Sequence, residues 1–444
     1  MFMQNLVKAR SHIIFLLAVI SAFAIVSSLD NLSSANISTS PESLRHTLDY
    51  SASRALPLAS HRPLSDTELQ WAETAWRYFE NNTVEQTGLA NSVDGYQATT
   101  MWDTASYLMA LIAAEQLSLL DTSQFEQKTR QALRTLATLP LYNNQLPNKS
   151  YNSNSAAMVD YNNQPSVGGI GWSAIDISRL IVPLQALLWN HPQLASEVTN
   201  VTARWDLSAL VNNGELIGAM DNAAGEKKFT LVQEGRLGYE EYAARALQLR
   251  GLNAEIALDY FDNASYLNVY NSAIPFDNRT AEALDAHNFV TSEPFILAAL
   301  ETGWDRHTRE FGTRLFNAQR QRYQNTGLLT AVSEDHLDKA PWFIYNSVVA
   351  DGQEWKAITE SGEQDDKLKT LSTKAAFSWH AIFATDYTAE LVNALSGNFD
   401  RNKGWYAGIY EHDSTSNTAI TANTNAVVLM SLAYIQSGTL LRPL

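Results

Sequence analysis

One short stretch of the sequence brings carboxylates together with aromatic side chains. Glu240 and Glu241 are adjacent and lie between Tyr239 and Tyr242. Because neighbouring residues on a helix diverge by about a hundred degrees, only one of the two glutamates can point into a site. A protonated carboxyl group opposed to an ionised one is suited to general acid and base chemistry. The alternative is structural, with both acids favouring the positive end of a helix.

A second acidic stretch lies later in the chain. Glu334, Asp335 and Asp338 fall close together and are followed by Trp342. Such a loop can hold a general base or position a water molecule, and we favour Asp335 over Glu334 for that role. The alternative is a solvated acidic turn.

Three further acids occur at predicted helix starts or in a loop. Thr100 and Asp103 have the spacing of a capping box, and Ser173 and Asp176 repeat it. A helix cap explains each pattern as well as a functional carboxylate does. As a functional group, Asp103 would bind a ligand hydroxyl or supply a second carboxylate. Glu411 is another acid beside an aromatic residue.

Aromatic residues near the predicted loop–helix junctions are the second ingredient of a site. Sugar rings stack on aromatic faces, so such residues suit carbohydrate clefts. Packing in the core explains each of them equally well. These residues are Trp102, Trp172, Trp342, Trp405 and Tyr406.

Composition excludes several other chemistries. The 444 residues include no cysteine, which excludes disulfides, thiolate catalysis and cysteine-ligated metals. A formal net charge of −16 does not fit nucleic-acid binding, which needs a basic face. The sequence has no nucleophile elbow, zinc-protease motif or calcium loop, and its histidines do not fall in metal spacing. We therefore expect no metal and no cofactor.

The elements that must position these residues are helical. A capping box at Ser65 and Glu68 opens a pattern in which apolar residues recur at helical spacing. Helices with one polar face alternate with helices that are apolar nearly all round, and the latter must be buried. The predicted outer and inner helices are the helix starting at 65 with 102–117, 123–138 with 172–189, 192–211 with 239–250, 252–262 with 291–303, 305–324 with 373–384, and 387–396 with 423–437.

Six such pairs closing into a ring predict an all-α (α/α)6 barrel with short hairpins at its rim. The connections from outer to inner helices are long and gather at one end, where a site would form. An open helical solenoid is the alternative, and it would have more regular repeat lengths.

The N-terminal residues predict a targeting segment. Lys8 and Arg10 precede an apolar run over 13–26, which is too short for a comfortable membrane span. We interpret residues 1–28 as a signal peptide, with an uncleaved membrane anchor as the alternative.

The remaining chain divides in two. Residues 29–62 are rich in Ser, Asn and Pro and predict a disordered linker. Residues 63–438 would form the catalytic domain. With a secretory signal ahead of it, the protein is expected to be periplasmic or secreted.

Five stretches of the chain carry a family resemblance, namely 99–103, 239–242, 333–336, 341–346 and 404–408. Together they resemble a bacterial envelope family labelled as a domain of unknown function and found near exopolysaccharide genes. That family is similar in organisation to glucoamylase-like and endo-β-1,2-glucanase (α/α)6 hydrolases. The resemblance covers residues 65–438.

The resemblance implies an inverting glycoside hydrolase that cleaves a neutral glucan or exopolysaccharide, with β-1,2-glucan the best single guess. Inverting enzymes hold an acid and a carboxylate about 6.5–9.5 Å apart, leaving room for water. Glucoamylase-like hydrolases take their acid from a similar Tyr-x-Glu opening, which favours Glu241. Asp335 would then be the general base. The predicted substrate-binding residues are Trp102, Asp103, Glu240, Glu334, Trp342, Trp405, Tyr406 and Glu411.

Two other functions stay open at this point. The chain could be a non-catalytic glycan-binding or assembly protein of an exopolysaccharide system, or a polysaccharide lyase. An acidic rim would repel the uronates that lyases cleave, so hydrolysis of a neutral glycan is favoured. The partner in each case is an oligo- or polysaccharide, and the oligomeric state is left open.

Overall fold

The computed structural model describes residues 48–221, 229–284 and 286–442. The predicted signal segment 1–28 and most of the predicted linker 29–62 lie outside these residues. Within the part that is described, no helix has the length and apolarity to cross a membrane.

The described end of the predicted linker is packed against the domain. Residues 48–62 contain the short helix α1 (Ser51–Ala55). The Ala59 amide donates to the Ile382 carbonyl at 2.8 Å, which ties this segment to an inner helix. The compact unit therefore begins before residue 63.

Six largely buried helices form the inner wall of the molecule. Each contacts the next along the chain and the last contacts the first, so they close into a ring. This arrangement is the predicted (α/α)6 barrel. The inner helices are α3 (Met101–Gln116), α5 (Ala174–Asn190), α7 (Tyr239–Gln248), α9 (Glu293–Glu301), α11 (Thr373–Phe383) and α13 (Ala422–Ser437).

The outer helices bury one face against this ring. In α4 (Thr122–Thr138), for example, Phe125, Leu133 and Leu136 recur at helical spacing and are buried, while the opposite face is exposed to solvent. The helices outside the ring are α2 (Asp66–Asn82), α4 (Thr122–Thr138), α6 (Ala195–Thr202), the single-turn α8 (Ala281–Leu284), α10 (Arg306–Thr326) and α12 (Asp386–Leu395).

One predicted outer helix does not form. Residues 252–262 make a series of turns. Asn253 Oδ1 accepts from the Glu255 amide at 3.2 Å, and Asp259 Oδ1 accepts from the Phe261 amide at 2.8 Å. These local bonds compete with helical ones. Tyr260 and Phe261 are still buried, so the segment fills the fourth outer position without being helical.

Antiparallel strands fill the connections that lead into the inner helices, and they are longer than the predicted rim hairpins. Two small pairs are β1 (Ala98–Thr100) with β4 (Ser150–Asn152) and β2 (Leu141–Tyr142) with β3 (Leu146–Pro147). The next sheets are β5 (Val211–Asn212), β6 (Glu215–Asp221) and β7 (Phe229–Gln233), then β8 (Ala264–Val269) with β9 (Ser272–Asp277). A four-stranded sheet joins β10 (Phe289–Val290), β11 (Glu334–His336), β12 (Phe343–Ala350) and β13 (Gln353–Ile358). Another joins β14 (Thr370–Ser372), β15 (Phe399–Asp400), β16 (Gly404–Tyr410) and β17 (Ser416–Ile420).

The predicted capping box at the start of α2 offers a test of the fold. The Ser65 hydroxyl accepts from the Glu68 amide at 3.3 Å, and the Glu68 carboxylate accepts from the Ser65 amide at 2.8 Å. Ser65→Ala removes the first bond and should lower the free energy of unfolding by about 1 kcal/mol in urea denaturation. Thr67→Ala, at an exposed position in the same turn, is the control. Equal stability of the two variants would contradict the cap.

Candidate active site

A buried polar network runs through the middle of the barrel. On α5, Arg179 is fully buried and its guanidinium donates to the Ser106 hydroxyl on α3 at 3.1 Å. It also donates to Asn423 Oδ1 on α13 at 3.4 Å and lies 3.7 Å from Glu301 of α9. Tyr242 of α7 donates to the same Glu301 carboxylate at 2.6 Å. These contacts link five of the six inner helices.

Lys374, at the start of α11, brings the sixth inner helix into the network. Its ammonium lies 2.8 Å from Glu293 Oε2 and 3.9 Å from Asp335 Oδ1, and the side chain is almost fully buried. Asn423 Nδ2 donates to the other Glu293 oxygen at 2.6 Å. Because Asn423 also accepts from Arg179, it joins the two buried cations through one amide.

The Lys374 ammonium is surrounded by several carboxyl groups. Burial alone would raise the pKa of Glu293, but Lys374 and Arg179 hold it below its usual value. Burial and the nearby Glu293 charge raise the pKa of Glu334 to about 7. Burial raises the pKa of Asp335 well above its usual value. The cluster therefore retains protons at neutral pH.

The two predicted glutamates of α7 point away from this network. The Glu241 carboxylate accepts from the Gly238 amide at 2.5 Å and caps its own helix, while burial and the Glu240 charge raise its pKa to about 8. Glu240 pairs with Arg279 and accepts from Gln233 at 3.0 Å. We expected one of the two glutamates to face the site. Instead, the helix directs Tyr242 and Tyr239 inward.

Asp335, the predicted base, is enclosed. Both of its carboxylate oxygens are buried, with Lys374 and the Ser372 hydroxyl as polar neighbours. In this geometry a glycan does not reach the carboxylate. The roles predicted for Glu241 and Asp335 thus remain predictions, and both carboxyl groups are buried.

Asp176 is more accessible, whereas Glu334 is buried like Glu241 and Asp335. Asp176, at the start of α5, is partly exposed, and burial together with the charges of Glu234 and Asp103 raises its pKa to about 7. Glu334 lies opposite Tyr345 in the β11–β12 ladder and accepts from the Thr291 hydroxyl at 2.9 Å.

The Tyr345 phenol lies within electrostatic reach of both acids. Burial raises its pKa, and the charges of Glu360, Glu334 and Asp176 add to the effect. Its ring stacks on Phe289 with centroids 3.5 Å apart. Two carboxyl groups with raised pKa values, one on an inner helix and one on a strand, therefore act on a common aromatic residue.

Thr100 caps the helix at Asp103, although only one bond of the predicted capping box forms. The Asp103 amide donates to the Thr100 hydroxyl at 3.1 Å, and that hydroxyl donates back to the Asp103 carboxylate at 2.8 Å. The charge of Asp103 also reaches Asp176 and raises its pKa. The cap and an electrostatic contribution to the site thus coexist in one residue.

Two predicted binding residues are structural. Trp405 is fully buried, its ring packs against Phe377, and its indole N–H donates to the Trp71 carbonyl at 3.1 Å. Glu411 pairs with both guanidinium nitrogens of Arg322, at 2.6 and 2.8 Å. In this structure both groups are engaged within the protein, and their predicted contact with a substrate stays a prediction.

The remaining predicted aromatic residues divide between two places. Trp102 is half-buried, with the Arg179 guanidinium 4.3 Å from its ring centroid. Trp172 is buried in the core. Trp342 and Tyr406 lie apart from them and line a rim cavity of about 420 Å³ together with Asp338.

The site includes residues that the sequence analysis passed over. Arg179, Lys374 and Glu293 lie in inner helices whose residues are mostly apolar. Charged side chains in such helices are costly to bury, and this cost was the available signal. In the described ranges, no group of three or more His, Asp or Glu side chains has a geometry that would hold a metal ion.

The fold is similar to that of several solved glycan-active proteins. A candidate glucoamylase from Bacteroides caccae is 12% identical, with a TM-score of 0.61 over 85% of this chain and 95% of that one. Endo-β-1,2-glucanase from Chitinophaga pinensis is 12% identical, with a TM-score of 0.59 over 85% and 94%. Endo-β-1,2-glucanase from Talaromyces funiculosus is 12% identical, with a TM-score of 0.55 over 89% and 86%. At this identity the likeness establishes the fold.

The sequence itself gives the family. Residues 70–438 match the family described as protein of unknown function DUF3131, and the chain belongs to it. No curated protein matches the sequence.

The buried lysine gives a test of the network. Lys374→Met leaves Glu293 without its ammonium and should lower the free energy of unfolding by about 3–5 kcal/mol at neutral pH. The pKa of Glu293 in the folded variant should rise above its unfolded value of about 4.3. The folded variant then binds more protons than the unfolded chain above that pH, so its stability should fall as pH rises from 5 to 8.

Thermal melts at pH 5 and pH 8 check this, with Lys367→Met, at an exposed position, as the control. A Lys374→Met protein that shows the control's pH dependence would contradict the network.

Proposed function

We propose that this protein is a glycoside hydrolase that cleaves a neutral glucan by paired carboxyl groups. The observation that carries the proposal is that Asp176 and Glu334 lie close enough to Tyr345 for the charges of both carboxyl groups to act on its phenol. A glycosidase needs one carboxyl group that is protonated near neutral pH and a second one opposed to it. The raised pKa values of both acids supply protonatable groups in that pH range.

Asp176 is the proposed general acid. It is partly exposed and can therefore reach a glycosidic oxygen, whereas Glu241 and Asp335 are enclosed. Its pKa of about 7 leaves a large protonated fraction at neutral pH. Glu334 is the proposed partner that positions and activates water, since Lys374 opposes the rise of its pKa and favours the ionised form. Asp103 would support both through its charge.

The proposed substrate is β-1,2-glucan. One of the similar structures is an endo-β-1,2-glucanase with sophorotriose and glucose, and another holds sophorose. A neutral glucan also suits the electrostatics, because the carboxylates around the site would repel uronates. A cell-envelope or extracellular location, with residues 1–28 as signal or anchor, completes the proposal.

The direct test is a screen of the purified protein on neutral glucans. New reducing ends should be released from β-1,2-glucan, without the ultraviolet absorbance that unsaturated lyase products give. Binding to a glucan without release of reducing ends would favour the glycan-binding alternative. Absorbing products would favour the lyase.

Asp176→Asn tests the acid. The amide keeps the shape but cannot donate the proton, so kcat should fall about 10²-fold or more while glycan binding is kept. Asp386→Asn, an exposed first-turn residue of the outer helix α12, is the matched control. Near-native turnover of Asp176→Asn would refute the assignment.

Three further variants separate the possible pairs. Glu334→Gln should also lose turnover. If Glu241→Gln and Asp335→Asn lose it instead, the assignment from sequence is the right one. If these two change only thermal stability, their roles are structural.

The pH profile gives an independent reading. The acid must be protonated, so kcat/KM should fall as pH rises through about 7, the pKa of Asp176. Initial rates between pH 4 and pH 9 show this limb. A rate that keeps rising up to pH 9 would contradict an acid with this pKa.

A further inference from the structure

Trp342 has an exposed indole on a loop that backbone hydrogen bonds fix in place. Its side chain is 63% exposed, and its φ of 72° is unusual for a bulky residue. The loop is fixed by hydrogen bonds from the Leu337 amide to the Trp342 carbonyl at 2.8 Å, and from the Trp342 amide to Lys339 at 2.9 Å. Strained, exposed aromatic residues occur where a ligand uses them.

The indole belongs to a cavity of sugar-like dimensions. The rim cavity of about 420 Å³ is lined by Trp342, Tyr406, Asp338 and Lys403, among others. An aromatic face combined with a few polar groups at fixed positions is the usual composition of a carbohydrate site.

The polar groups of the cavity are held in place before any ligand arrives. Asp338 accepts from the Tyr410 hydroxyl at 2.7 Å and from the Thr418 amide at 2.9 Å, and these bonds lower its pKa. Its carboxylate is thus an ionised acceptor for hydroxyl groups. Lys403 lies 2.8 Å from Asp94, so these two charges offset each other. Asp338 and Asp400 also line the cavity, so its formal charge is negative, which disfavours an anionic sugar and leaves a neutral one.

The cavity is close in sequence to Glu334, one member of the proposed catalytic pair. Asp338 is four residues beyond Glu334, so their backbones lie at most about 13 Å apart. A short glycan can span any separation up to that limit. We propose that the rim cavity is a remote subsite, in which Trp342 stacks on one neutral hexose of the chain being cleaved. The inference rests on the proposed function and adds that the substrate is an extended glycan.

The test compares substrates of increasing length. With β-1,2-linked gluco-oligosaccharides from sophorose upward and the polymer, Trp342→Ala should lower kcat/KM roughly tenfold for long chains and much less for the shortest chain cleaved. Trp342→Phe, which keeps an aromatic face, should retain most of the long-chain activity. Leu328→Ala, which removes an exposed apolar side chain outside the cavity lining, should match the wild type. A loss of equal size at every length, or no loss, overturns the subsite.

A binding measurement keeps the two proposals apart. Electrophoretic retardation in gels containing each glucan of the panel reports binding whether or not the protein cleaves. Retardation lost in Trp342→Ala but kept in Leu328→Ala, without hydrolysis, supports the subsite and counts against the hydrolase. Cleavage with unchanged retardation of Trp342→Ala overturns the subsite alone. A wild-type protein that is retarded by no glucan overturns both.

Discussion

Two buried cations, Arg179 and Lys374, set the arrangement of the barrel. Each inner helix contributes at least one polar side chain to the bonds around them, and the Asn423 amide connects the two halves. A charge without partners in such a place costs far more than a hydrogen bond contributes, so every helix must be in register for the network to close. The apolar faces of the inner helices supply burial, which has no direction, whereas the network selects one mutual arrangement of the six helices.

The same constraint connects the core to the chemistry of the site. Glu293 is satisfied by Lys374, but its charge then acts on Glu334, whose pKa rises. A single ammonium shared among several carboxylates leaves protons bound at neutral pH, which is the condition that acid catalysis needs. At the neighbouring edge, Asp103 and Glu234 act on Asp176 in a similar way. Burial and neighbouring carboxylates therefore raise the pKa values of both Glu334 and Asp176, the two proposed catalytic groups.

Periodicity was sufficient to predict the closed ring of six inner helices, because apolarity on all sides is a strong signal of burial. It failed at 252–262, where asparagine and aspartate side chains bond to nearby amides and replace helical bonds. For the candidate site, the sequence located stretches that border the buried network but not the orientations of their side chains. Glu241 and its neighbours sit on a helix whose rotation depends on partners far along the chain, such as Glu301, which no local pattern reveals. Trp405 likewise has its partners on distant elements.

The missing fourth outer helix has a consequence for motion. Next to it, α6, α7 and α9 are short helices of eight, ten and nine residues. This sector therefore has the fewest helical amide bonds, and its outer position is held by turns and by the β8–β9 hairpin. Backbone amides there should exchange with solvent ahead of those in α3, α5 and α13, because local opening follows the density of protected bonds.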